Sequence, residues 1–289
     1  MGDSITNINW FPGHMAKATK EIKEKLNLVD MVIEVCDARA FFSSINPIVK
    51  ELTTNKFYLK VLTKTDIADD DETLKIKEGL KSKGIDSVLV NLNDKSVATS
   101  IIKMINEVAK PLKEKDIKRG LKPRNVRVMV IGIPNVGKST LINLLAKKNS
   151  APVGNKPGFT RAQKWVKCDG FDLLDTPGIL WPNLANDNVG IKLALIGCIK
   201  DEILPTMDLC RVGLEYINTN YTDLLYNKYG IVYNGFDNYL ENFSKVKGHL
   251  LKDGQLDLDR SAKSILNDIK NGRVGKISFE KWEDYHGKL

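Results

Sequence analysis

Residues 126–146 limit the possible folds more than any other stretch of the 289-residue chain. Val126-Arg127-Val128-Met129-Val130-Ile131 is the β-branched, largely apolar run expected of a parallel strand buried on both faces. Gly132-Ile133-Pro134-Asn135-Val136-Gly137-Lys138-Ser139 follows at once, then Thr140-Leu141-Ile142-Asn143-Leu144-Leu145-Ala146 with leucines at helical spacing. Strand, Gly-rich turn and helix together form the context in which G-x-x-x-x-G-K-[ST] cradles phosphate. The two glycines let the loop curl, so backbone N–H groups from Asn135 to Ser139 converge on a phosphate chain at a helix N-terminus. Lys138 then reaches the β- and γ-phosphates and serves catalysis, and Ser139 offers its hydroxyl to Mg²⁺. Asn135, Val136, Gly137 and Thr140 belong to the same expected nucleotide-binding set.

Upstream, an amphipathic helix is expected from Met15 to Leu28, and strands over Asp30–Cys36, Phe57–Leu62 and Ser87–Val90. A helix begins near Asp70, its acidic first turn suited to the helix dipole, and Gly84 ends it. Another runs from Ser96 to Lys110 and stops at Pro111, followed by a basic connector over 111–125. Residues 148–163, rich in Asn, Gly, Pro, Ser and Lys, read as a mobile loop before strands at Lys164–Cys168 and Phe171–Leu174. After Asn186 the pattern predicts only helices, at 187–202, 206–219, 221–229, 235–246 and 257–271. The fold class is therefore α/β: a P-loop, mostly parallel sheet flanked by helices over 1–185, and a small all-α region over 186–289.

Three further segments fit one nucleotide. Asp175-Thr176-Pro177-Gly178 closes a strand some forty residues after the phosphate loop, where Asp175 can join a Mg²⁺ shell and the Gly178 N–H can meet the γ-phosphate. Thr160, in Pro157-Gly158-Phe159-Thr160, can complete that shell and sense the γ-phosphate. Thr63-Lys64-Thr65-Asp66 is the base reader: the Asp66 carboxylate accepts from N1–H and the N2 amine of guanine, donors that adenine lacks. Lys64 can lie over the purine face, and Asn91 and Leu92 after the third strand complete the set. The order is unusual, because the base reader precedes the phosphate loop by about seventy residues. Such a chain can build the ordinary sheet if it has been cut and rejoined elsewhere, with 111–125 bridging the old ends.

That arrangement resembles the circularly permuted GTPases. Trp10-Phe11-Pro12-Gly13-His14-Met15-Ala16-Lys17, Asp37-Ala38-Arg39, the phosphate loop, Asp175 to Pro182 and Ile265-Leu266-Asn267-Asp268-Ile269-Lys270 are similar to the ribosome biogenesis GTPase A (RbgA, YlqF) family. The resemblance implies a GTP hydrolase of late large-subunit (50S) assembly. It would bind the precursor particle with GTP, leave after hydrolysis, and contact ribosomal RNA through its helical region. Ile179 follows Gly178 and cannot orient water, and the resemblance assigns that role to His14. It also associates Asn135 with K⁺. Thr63 departs from the family, whose base reader begins with Asn, so bracing of the phosphate loop is expected to be partial and nucleotide affinity modestly lower.

Charge bears on the partner. The formal net charge is +8, yet 30 Lys and Arg face 22 Asp and Glu up to residue 189, and 14 face 14 after it. Residues 147–167 carry six basic side chains and no acid. The basic surface beside the phosphate loop is thus the better candidate for RNA, and RNA contact by the neutral helical region would need segregated cations such as Lys263, Lys270, Arg273 and Lys276. No apolar run approaches the roughly 20 residues of a membrane span, and the polar N-terminus carries no export signal, so a cytoplasmic monomer without membrane attachment is expected. Cys36, Cys168, Cys198 and Cys210 are scattered and form no metal or disulfide pattern. Two other readings stay open: a P-loop ATPase or kinase, and an RNA-binding assembly factor that uses GTP without hydrolysing it.

Overall fold

The strands Met31–Asp37 (β1), Phe57–Thr63 (β2), Ser87–Leu89 (β3), Val126–Ile131 (β4), Trp165–Lys167 (β5) and Phe171–Leu174 (β6) form one sheet in the order β3-β2-β1-β4-β6-β5. This is a computed structural model that describes residues 20, 22–47, 49, 53–147, 165–174, 188–199 and 204–285. All neighbouring strands are parallel except the β5–β6 hairpin. The central strands are apolar because both their faces are covered: every residue of β1 is buried, and so is all of β4 except Arg127. From β1 the chain steps outward through β2 and β3, then returns to the other side of β1 with β4. The order of strands therefore reverses between β1 and β4, and ligands of open parallel sheets bind at the carboxyl ends of strands beside such a reversal.

Helices follow the strands: Phe41–Ser44 (α1), Asp70–Ser82 (α2), Val97–Val108 (α3), Lys110–Lys118 (α4) and Lys138–Lys147 (α5). Asp69 caps α2 by accepting from the Glu72 N–H, and Gly84 (φ +69°) follows its end. The expected connector over 111–125 is helical in its first half. Pro111 stops α3 but sits in the first turn of α4, where its missing N–H has no intrahelical partner to lose. None of α4 is buried, so it is a surface helix carrying basic side chains.

The second half supplies Val189–Leu195 (α6), Thr206–Asn220 (α7), Leu224–Tyr229 (α8), Phe236–Lys247 (α9) and Leu258–Lys270 (α10). The first of these ends well before the expected residue 202, in a turn at Gly197 (φ +77°). One buried cluster runs from Met31, Ile33 and Val128 of the sheet to Leu214, Phe243 and Ile265 of these helices. Residues 271–285, beyond α10, are mostly irregular and lie back on the first half. Ile277 N–H donates to the Ile67 carbonyl (3.2 Å), Phe279 N–H to that of Arg39 (2.6 Å), and Trp282 N–H to Glu72 (2.9 Å). The Trp282 ring lies so close to Gly79 of α2 that a Cβ there would meet its Cζ2 at 2.0 Å.

Candidate nucleotide site

The loops at the carboxyl ends of β1, β2, β3 and β4 meet. The phosphate loop turns as its glycines predict. A Cβ at Gly132 would stand 2.5 Å from the Val35 carbonyl oxygen, and one at Gly137 (φ +102°) 2.9 Å from Leu92 Cδ1. Neither position tolerates another residue without displacing backbone or a packed neighbour. Asn135 is also left-handed (φ +61°). Lys138 begins α5, is buried, and donates across its own loop to the Ile133 carbonyl (2.6 Å). Ser139 and Thr140 are exposed on the first turn of that helix, where free N–H groups and the helix dipole favour an anion.

The expected base-reading segment adjoins this loop. Thr63, wholly buried, donates its hydroxyl to the Val136 carbonyl (2.6 Å) and is 3.1 Å from that of Cys36. A single hydroxyl proton serves one acceptor at a time, whereas an asparagine amide could serve both. Lys64 adopts a left-handed backbone (φ +58°) and pairs with Asp37 (2.8 Å). Asp37 has no exposure and also accepts from the Arg39 guanidinium, at 3.0 Å from Nε and 2.8 Å from Nη2. Burial alone would push this carboxyl up; the two cations beside it outweigh that and hold it below its ordinary range.

A cleft of about 310 Å³ lies over these loops. Thr63, Lys64, Asp66 and Ile67 line one side, Asn91, Leu92 and Asn93 another, and Val136, Gly137 and Thr140 a third. Lys270 and Asn271, from the end of α10, close it. Of the residues predicted from sequence, the structure thus gathers Thr63, Lys64, Asp66, Asn91, Leu92, Val136, Gly137 and Thr140 on one cleft. Thr65 lies in the same turn as Asp66 but not on the cleft wall, and Asn135, Lys138 and Ser139 belong to the phosphate loop beside it. His14, Thr160, Asp175 and Gly178 lie outside the described residues.

Ile67, Asn93, Lys270 and Asn271 were not expected on this wall. Asn93 had a local signal, since its N–H donates to the Asn91 side chain (2.9 Å) in a turn that Asn-Leu-Asn favours. Lys270 and Asn271 had none, because an Asn before Gly272 announces only the end of a helix.

The donor types suit hard ligands. A serine hydroxyl at a helix N-terminus, with a threonine hydroxyl and a carboxylate, is an oxygen set fit for Mg²⁺, although only Ser139 of the three is described. Among the described residues no cluster of His, Cys, Asp and Glu could hold a metal ion by itself. The Asn135 amide nitrogen donates to the Gly197 carbonyl (2.9 Å), which leaves its oxygen as the atom able to face a monovalent cation.

Known proteins resemble this chain in sequence and fold. Residues 127–234 match a family model described as 50S ribosome-binding GTPase, which begins at the phosphate-loop strand and leaves the base reader upstream of it. Ribosome biogenesis GTPase A of Bacillus licheniformis is 41% identical over 280 residues, 96% of this chain and 99% of the relative. The Thermotoga maritima protein of that name is 34% identical over 96% of this chain and 95% of its own length. The crystal structure of GNP-bound YlqF from T. maritima superposes with a TM-score of 0.68 at 27% identity, covering 92% of this chain and 98% of that one. A GDP-bound YlqF structure gives a TM-score of 0.67 at 28% identity. With near-full-length relatives at this identity and the permuted motif order in one sheet, the chain belongs to the ribosome biogenesis GTPase A family.

Proposed function

We propose that this GTPase binds GTP in the cleft between Asp66 and the phosphate loop and hydrolyses it during late assembly of the large ribosomal subunit. The observation that carries this reading is the hydroxyl of Thr63 donating to Val136, 73 residues away, which joins the base-reading turn to the phosphate loop around one cleft. Asp66, exposed on the cleft wall, selects guanine through its two ring-edge donors. Lys138 and the backbone N–H groups of residues 135–139 stabilise charge on the transferring phosphoryl group.

Mg²⁺ would be held by Ser139 with Thr160 and Asp175, and K⁺ by Asn135; these ions supply positive charge to the phosphates when bound. His14 orients the attacking water, the role that the family resemblance assigns to it, and Ile179 has no polar side chain to do so. Residues 1–185 form the GTP-binding unit and 186–289 the helical unit. Ribosomal RNA of the precursor meets the basic segments 113–124 and 147–167. The protein acts in the cytoplasm as a monomer; among the described residues no helix is long and apolar enough to cross a membrane.

The test is GTP turnover by wild type, His14→Ala and Asp66→Asn, with and without large-subunit precursors. The expected outcome is turnover stimulated by the precursors, lost by about 100-fold or more in His14→Ala, and a reduced preference for GTP over ATP in Asp66→Asn. No turnover by wild type even with precursors would leave an RNA-binding factor that uses GTP as a ligand only. Equal use of ATP and GTP by wild type would point to an ATPase.

A further inference from the structure

The Asp37-Ala38-Arg39 segment does work that the nucleotide motifs leave unexplained. Arg39 is 1% exposed, a high degree of burial for a guanidinium, and is neutralised by Asp37 beneath it. Its Nη1 donates to the Lys270 carbonyl (2.7 Å) and its Nη2 to the Ile196 carbonyl (2.9 Å). Those carbonyls end α10 and α6, where the last C=O groups of a helix lack intrahelical donors and the dipole is negative. One buried cation therefore caps two helices of the second half, and its counter-ion also holds Lys64 of the base reader.

The end of α10 is placed with a direction. Gly272 (φ +67°) approaches Ile67, one residue past Asp66, so closely that a Cβ would stand 2.3 Å from Ile67 Cγ2. Lys270 runs the other way, its Cγ and Cδ 3.6 Å from where a Cβ on Gly197 would stand, and the Gly197 carbonyl accepts from Asn135 of the phosphate loop. The segment thus bridges the two sides of the cleft, with the Lys270 stem on the side of the phosphate loop.

We propose that the end of α10 is part of the nucleotide site: Lys270 supplies a cation to the phosphate chain of the guanine nucleotide, and Arg39 is the positioning residue that holds it there. This rests on the assignment of the cleft to GTP. It follows that a guanine nucleotide and the helical region stabilise each other's seating on the sheet, because one segment serves both.

The test is calorimetric binding of GDP and of guanosine, at low and at high salt, to wild type, Lys270→Met, Arg39→Lys, the double variant and Asp66→Asn. Methionine keeps the stem against Gly197 and removes the charge. Lys270→Met is expected to weaken GDP about five- to tenfold at low salt, less at high salt, and to leave guanosine unchanged. Lysine at position 39 cannot span two carbonyls and a carboxylate. Arg39→Lys should therefore weaken GDP to a similar degree, and the double variant should lose less than the product of the two losses.

Wild-type GDP affinity in Lys270→Met would overturn the proposal, as would equal losses of GDP and guanosine, which mark packing alone. Should Arg39→Lys fail to fold, Lys270→Met still decides. Asp66→Asn separates the underlying assignment: if it binds guanosine as wild type does while Lys270→Met behaves as expected, the base reader is misassigned and Lys270 stands.

Discussion

Thr63 illustrates how one atom can join two functional loops. Its hydroxyl reaches Val136 from a position with no exposure, so removing it strands a buried carbonyl. Thr63→Val, nearly isosteric, is expected to lower stability by about 1–3 kcal/mol and to loosen GDP binding, read by urea denaturation and nucleotide titration. Asp37 sets a pH dependence. Its folded carboxyl lies below the ordinary 3.8, so the stability it contributes is complete above that pH and is lost as pH falls through the lower folded value. Stability measured from about pH 5 downward should decline less steeply in Asp37→Asn than in wild type. From the chain alone, Asp66 and Lys138 were legible because their motifs are local. The hydroxyl of Thr63 on the Val136 carbonyl is the partial bracing expected of a threonine there, whereas the Lys64–Asp37 pair had no signal, because neighbouring parallel strands set it.

Among the elements, the strands were the most legible, since burial on both faces leaves continuous apolar runs. Glu34 and Lys60 interrupt two of those runs and stand opposite each other in the β1–β2 register. Both are buried, and they are paired side chain to side chain, with the Tyr58 hydroxyl donating to the same carboxylate. Lys60→Met would leave Glu34 charged without its cation and is expected to cost about 3–5 kcal/mol; thermal denaturation checks this. The double replacement Glu34→Leu with Lys60→Met should recover most of the loss. Breaks between helices were harder to place. Pro111 ends one helix and begins the next, and only the path of the chain distinguishes a stop from a start. Gly84, placed by the sequence to end a helix, adopts a positive φ just past α2, and Gly230 and Gly272 do the same after α8 and α10.

At the scale of the molecule, the last fifteen described residues hold the two halves together. Glu280 is buried and accepts from the N–H groups of Phe42 (2.7 Å) and Ser43 (3.1 Å) at the start of α1, and from the Ser43 hydroxyl. Glu280→Ala strands these donors, with an expected loss of about 2–4 kcal/mol in denaturant unfolding. Nothing local announced that role, because a glutamate near a chain end looks like a solvated charge until another element covers it.

The sequence by itself determined the elements and the motifs: buried strands from their apolar runs, the phosphate loop from its two glycines and lysine, the turn that carries Asp66 at the end of β2, and the permuted order in which they occur. Only the tertiary structure decided that Arg39 caps two distant helices, that Lys270 and Asn271 wall the cleft, and that the tail returns to α1 and α2. The division has a physical cause. Propensity and motif act over a few residues, whereas these contacts join positions 157 to 238 residues apart and form only once the shared core has brought them together.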